Sequence, residues 1–165
     1  MAALDPGPQA PPFVLPGLEG EAFTHPAAPP VRRLLLAFFK VTCPTSQFTF
    51  PFIERLYRAL RAPGLWDVWG ISQDEVAETR AFAQEQGITF PLLLDQEPYP
   101  VSSLYQLTHV PTLFLIDGTG AIRRTSVGFF RDDLRQLTRD LAGDLGRPEP
   151  EIFPAGENVP PHQFG

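Results

Sequence analysis

The sequence is poor in sulfur: among 165 residues there is one cysteine, Cys43, and one methionine. A single cysteine excludes an internal disulfide framework and agrees with a reducing compartment. Histidine is also scarce. His25, His109 and His162 are far apart and show no metal-ligand spacing, so no metal and no cofactor is expected. Basic runs are missing, the longest being Arg32-Arg33 and Arg123-Arg124, and thirteen basic against nineteen acidic residues give a net charge of −6. That balance argues against a nucleic-acid partner, and it supplies no polybasic patch for a membrane surface. No apolar run approaches the ~20 residues of a membrane span. The start, Met1 to Pro6, lacks the basic and apolar regions of a signal peptide, so a cytoplasmic location is the expectation. Gly-rich phosphate loops, nucleophile elbows and paired acidic motifs are absent too, which removes hydrolase and nucleotide chemistry. What is present is a folded globule's composition, 43% hydrophobic with 14 phenylalanines, in a length that suits one domain.

Leu34–Leu60 organises the chain. Leu34 to Phe39 reads as a strand buried on both faces: short, continuous, apolar, and ended by Lys40. The run breaks at Thr42-Cys43-Pro44-Thr45-Ser46. Phe52, Ile53, Leu56, Tyr57 and Leu60 then recur with the period of an amphipathic helix. Thr42 is a candidate N-cap, and Pro44 suits the first helical turn, where its missing N–H would be unpaired anyway. Cys43 thus falls where free backbone N–H groups and the positive end of a helix dipole favour a thiolate. The residues propose a reactive thiol.

These residues also carry a family resemblance. A buried strand, then Cys43-x-x-Ser46 opening a helix, then Pro51, resembles the thioredoxin fold. Val110-Pro111-Thr112 followed by Leu113 to Asp117 resembles that family's cis-proline loop and the strand after it. Gly70 to Asp74 and Phe90 to Asp95 resemble the redoxin branch, which includes thiol–disulfide oxidoreductases and peroxiredoxins. The likeness spans Pro11 to Leu141. It implies an α/β thioredoxin-like fold, with a central mixed sheet, helices on both faces and an N-terminal extended segment and hairpin. It also implies a cis Pro111 facing Cys43, with the Val110 backbone available to an extended substrate chain. Cys43 and Ser46 are the implied catalytic positions; Pro44, Thr45, Val110 and Pro111 are the implied substrate-binding ones.

Along the rest of the chain, residues 1–10 read as a flexible arm, and residues 11–146 as the redoxin domain. Ala27 to Pro30 reads as a connector, Trp66 to Ile71 as the second core strand, and Glu75 to Gln86 as a helix closed by Gly87. A short helix through Ser103, Leu104 and Leu107 and a turn at Gly118 to Gly120 come next. A final helix opens at Arg131, with Leu134, Leu137 and Leu141 on its buried face. The proline-rich stretch 147–165 reads as irregular.

Disulfide exchange needs a thiolate to attack and, in a dithiol scheme, a second cysteine to resolve the mixed disulfide. Ser46 stands at that second position. It can donate a hydrogen bond to the Cys43 sulfur but cannot form a disulfide. Cys43 would therefore form mixed disulfides with a disulfide-containing protein or a small thiol such as glutathione, and an external thiol would resolve them. Ser46 is open to three readings: a natural monothiol enzyme, an introduced Cys→Ser change, or a scaffold that has lost redox chemistry. A peroxidase with antioxidant activity is the alternative class. Against it, Lys40 and Leu36 stand where peroxiredoxins carry Thr or Ser and proline. Phe39 reads as core, Lys40 as an exposed strand-end lysine and His109 as a solvated loop histidine, the last two being the nearest candidate cations for Cys43.

Overall fold

The computed structural model describes residues 3–27, 33–154 and 157–163. In chain order the elements are β1 (Phe13–Pro16), β2 (Ala22–His25), β3 (Arg33–Phe39), α1 (Pro44–Ala59), β4 (Trp66–Ser72), α2 (Val76–Gln86), β5 (Leu92–Leu94), α3 (Pro100–Leu104), β6 (Thr112–Asp117), β7 (Ile122–Val127), β8 (Phe129–Phe130), α4 (Arg131–Leu145) and β9 (His162–Gln163). Strands β5-β4-β3-β6-β7 form one sheet in that order. β4 runs parallel to β3, β5 parallel to β4, and β6 and β7 are antiparallel to their neighbours. β3 is central because its sequence is apolar at both parities, and only an interior strand covered on both faces can hide such a run.

The alternation of β3 divides the core. Leu35, Ala37 and Phe39 point to one side with Leu113 and Leu115 of β6, beneath α1, α2 and α4. Leu34, Leu36 and Phe38 point to the other with Phe114 and Ile116, against α3 and the β1–β2 hairpin. Each buried Leu or Phe contributes about 1.5–3 kcal/mol, so the six residues Leu34 to Phe39, none more than 4% exposed, anchor the layers. Phe39 is core, as expected, with its ring centroid 4.3 Å from Phe50 and 4.9 Å from Phe82. Gly70 lies opposite Ala37 on β4. A Cβ there would come within 2.5 Å of Leu92, so the closeness of β5 depends on its missing side chain. This is the α/β sandwich the resemblance implies.

One expectation needs correction. The segment expected to be a loose arm is seated from Ala3 onward. Leu4 N–H donates to Tyr105 O, Gly7 N–H to Ile122 O and Ala10 N–H to Gly120 O, while Ala3 and Ala10 are buried. Its small residues let the backbone lie against the sheet edge, where ladder groups are otherwise unpaired. Among its described residues the stretch from residue 147 carries no helix or strand before β9, and these residues are docked against the domain. Ile152 and Phe153 enter the core, and His162–Gln163 pairs with Phe129–Phe130. Its prolines forbid a helix but not burial of two large apolar side chains. The Ala27–Pro30 connector lies outside the described residues beyond Ala27.

Candidate functional site

Cys43 lies just beyond the end of β3, where the chain turns into α1. It is itself the N-cap, with extended backbone (φ −79°, ψ 117°), and Pro44 occupies the first turn. Thr42, expected to cap, stands one residue too early. The N-cap side chain must reach the amide three residues on, and here the sulfur does so, accepting from Ser46 N–H at 3.5 Å. The turn before it is held from three sides. Cys43 N–H donates to Lys40 O (3.2 Å), Val41 N–H to an Asp74 carboxylate oxygen (2.8 Å), and Gln47 Nε2–H to Val41 O (2.8 Å).

Opposite the sulfur stands the loop before β6. The Val110–Pro111 peptide is cis. The Cys43 thiol donates to Val110 O at 3.5 Å, and Thr112 Oγ1 ties the loop by donating to His109 O at 2.8 Å. The sulfur is thus half-buried between one amide donor and one carbonyl acceptor, beside a backbone that an extended chain can pair with.

Cys43, Ser46, Val110 and Pro111 come together; the other sequence-derived positions divide. Pro44 is exposed on the outer side of the helix start, whereas Thr45 is 2% exposed and cannot present its side chain to a substrate. Helical geometry turns position 45 inward, where its carbonyl accepts from Thr49 Oγ1. Ser46 is fully buried, and its hydroxyl makes no hydrogen bond. The expected O–H to sulfur contact is therefore replaced by the backbone N–H of the same residue. Lys40 meets Cys43 through its carbonyl, and His109 is exposed and hydrogen-bonded to Thr108 (3.1 Å). Asp74 and Gln47, which hold the turn at Val41, were missed by sequence reasoning. Asp74 is 31 positions beyond Cys43 in the chain, and only the side-by-side pairing of β3 and β4 brings it to Val41.

Among the described residues no three His, Cys, Asp or Glu side chains form a metal-binding group, and no helix is long and apolar enough to cross a membrane.

Known proteins share this fold. The chain is 28% identical over 134 residues to the thiol-disulfide oxidoreductase ResA of Geobacillus thermodenitrificans, covering 79% of this chain and 74% of the relative. A solution structure of a candidate protein disulfide isomerase from Bacteroides thetaiotaomicron superposes with a TM-score of 0.80 at 23% identity, over 89% of this chain and 96% of that one. A candidate thiol:disulfide interchange protein DsbE from Chlorobium tepidum superposes with a TM-score of 0.75 at 26% identity, over 87% and 99%. The fold is thioredoxin-like. Residues 6–125 match the AhpC/TSA family model, and the chain belongs to the AhpC/TSA family.

Proposed function

We propose that this protein is a monothiol member of its family, exchanging disulfides through Cys43 and leaving resolution to an external thiol. The observation that carries this reading is the pairing of a half-buried N-cap thiol, set against Val110 O, with a buried serine at the position where a resolving thiol would have to stand. The Cys43 thiolate attacks one sulfur of R–S–S–R′. A Cys43–S–S–R bond forms, the S–S bond of the substrate breaks, and R′S⁻ leaves with the electron pair. The Ser46 N–H stays on the Cys43 sulfur throughout, and the Val110 backbone, released by the thiol once it ionises, pairs with the chain that carries R. Ser46 cannot attack the new disulfide, and the sequence holds no other cysteine. A second thiolate, from glutathione or a protein thiol, then attacks the R sulfur, forms the external disulfide and returns Cys43 as thiolate.

Mass spectrometry of the protein after exposure to oxidised glutathione and to a protein disulfide tests this. A single adduct on Cys43 that persists until thiol is added is the expected result, with none in Cys43→Ala. Absence of any adduct in the parent chain would refute the reading.

A further inference from the structure

Phe129–Phe130 lies at the same end of the sheet as Cys43. Gly128 N–H donates to Pro111 O at 2.8 Å, and its φ of 81° turns the chain out of β7 into β8. The Phe129 ring meets Phe48, on the first turns of α1, edge-on at 4.9 Å. β8 is therefore joined both to the Pro111 loop and to the start of α1, the two elements between which the Cys43 sulfur lies and a substrate groove would open. A strand edge there is where an incoming extended chain would add. In this protein the edge is already taken by the protein's own residues. His162–Gln163 pairs with it, in register Phe129↔Gln163 and Phe130↔His162, and the His162 ring stacks on Phe130. Arg131 N–H donates to Pro161 O (2.9 Å) and Arg131 Nη1–H to Val159 O (3.0 Å). From α1, Arg55 pairs with Glu157 at 2.8 Å.

We propose that residues 157–163 are a strap that walls this side of the groove and selects the substrate class. Small disulfides such as oxidised glutathione reach the Cys43 sulfur past it, whereas a folded protein disulfide, whose flanking chain needs the β8 edge, must first displace it. The proposal rests on the reading of Cys43 as the exchange nucleophile. The strap is held by a two-residue ladder, a few hydrogen bonds, the His162–Phe130 stack, one partly buried apolar side chain, Val159, and an exposed ion pair, and such pairs stabilise little. The preceding Ile152 and Phe153 are fixed in the core, at 3% and 7% exposure, so the strap can open without unfolding the domain. Selection of a small disulfide also suits a monothiol site, since a small thiol must enter the same groove for release.

Two full-length variants test this. Val159→Asp places a charge where a partly buried apolar side chain packs on the core, and Glu157→Arg sets two cations against each other at Arg55. Mixed-disulfide formation at Cys43 is followed by quenched mass spectrometry with oxidised glutathione and with insulin. Capture of insulin is expected to rise at least about fivefold in both variants, while the glutathione rate stays within about twofold. If Val159→Asp does not fold, Glu157→Arg alone decides. An unchanged ratio of the two rates overturns the strap. A parent chain that forms no Cys43 adduct with either disulfide overturns instead the exchange reading on which it rests.

Discussion

Two buried polar groups near the β3–α1 turn are treated in opposite ways. Asp95, 1% exposed, accepts from Val101 N–H (3.1 Å), Ser102 N–H (2.7 Å) and Ser102 Oγ–H (2.7 Å), and Gln73 Nε2–H donates to Ser102 Oγ (3.0 Å). Beside it, Ser72 Oγ bonds Thr79 Oγ1 and accepts from Asp74 N–H, and Asp74 in turn holds Val41. This network offsets the desolvation of its members with hydrogen bonds and pins the turn that aims Cys43. Ser46, equally buried, has a hydroxyl with no hydrogen-bond partner. A thiol is a small hydrophobe and a weak donor, so it would leave nothing unsatisfied in that place. The contrast marks position 46 as one that offers a hydroxyl no hydrogen-bond partner, a lack that a thiol would tolerate better.

Three variants sharpen or break this contrast. The largest effect is expected on turnover. Ser46→Cys places a second thiol within one helical turn of the first, at an effective concentration far above that of any added thiol. Multiple-turnover reduction of insulin is expected to rise by about two orders of magnitude, and an internal disulfide between Cys43 and the introduced thiol should appear on oxidation. No internal disulfide would mean that position 46 does not bring a thiol within reach of the Cys43 sulfur.

Stability should separate the two regions next. Asp95→Ala strips three donors of their acceptor and is expected to cost about 3 kcal/mol in urea unfolding. Ser46→Ala removes a group that satisfies nothing, and its stability is expected to lie within about 1 kcal/mol of the parent, or above it. Equal losses in the two variants would place Ser46 in a satisfied network and break the comparison.

The smallest effect concerns the far hairpin. His25 is 5% exposed, its Nε2 has no hydrogen-bond partner, and burial holds its pKa below the ordinary 6.5 against an opposing hydrogen bond with the Ala10 backbone. Between the lowered folded value and 6.5 the unfolded chain binds more protons. Stability is therefore complete above pH 6.5 and falls as pH drops through the folded value. Tm measured between pH 7 and pH 5 should fall, and His25→Phe should flatten that slope.

The elements whose residues speak for themselves were legible. The apolar run of β3, the helical period after Cys43, and Gly87 at the end of α2, where it adopts the left-handed conformation, all stand where local pattern puts them. Cys43 at a strand-to-helix turn was equally plain. The seating of residues 3–10, 147–154 and 157–163 was not, because their anchors are scattered: Tyr105, Gly120 and Ile122 for the first, Phe52, Phe129 and Arg131 for the others. No window of sequence contains both partners of such a contact.

The amino-acid sequence by itself determined the layers of this protein and the address of its thiol. Hydrophobic period and the placement of proline and glycine act within one element, over a few residues. Tertiary structure alone decided what faces that thiol. The 3.5 Å approach of Val110 O, the Asp74 contact to Val41 and the covering of β8 by β9 each join elements distant in the chain. They exist because packing the two faces of β3 fixes the distances between those elements, which no local propensity encodes.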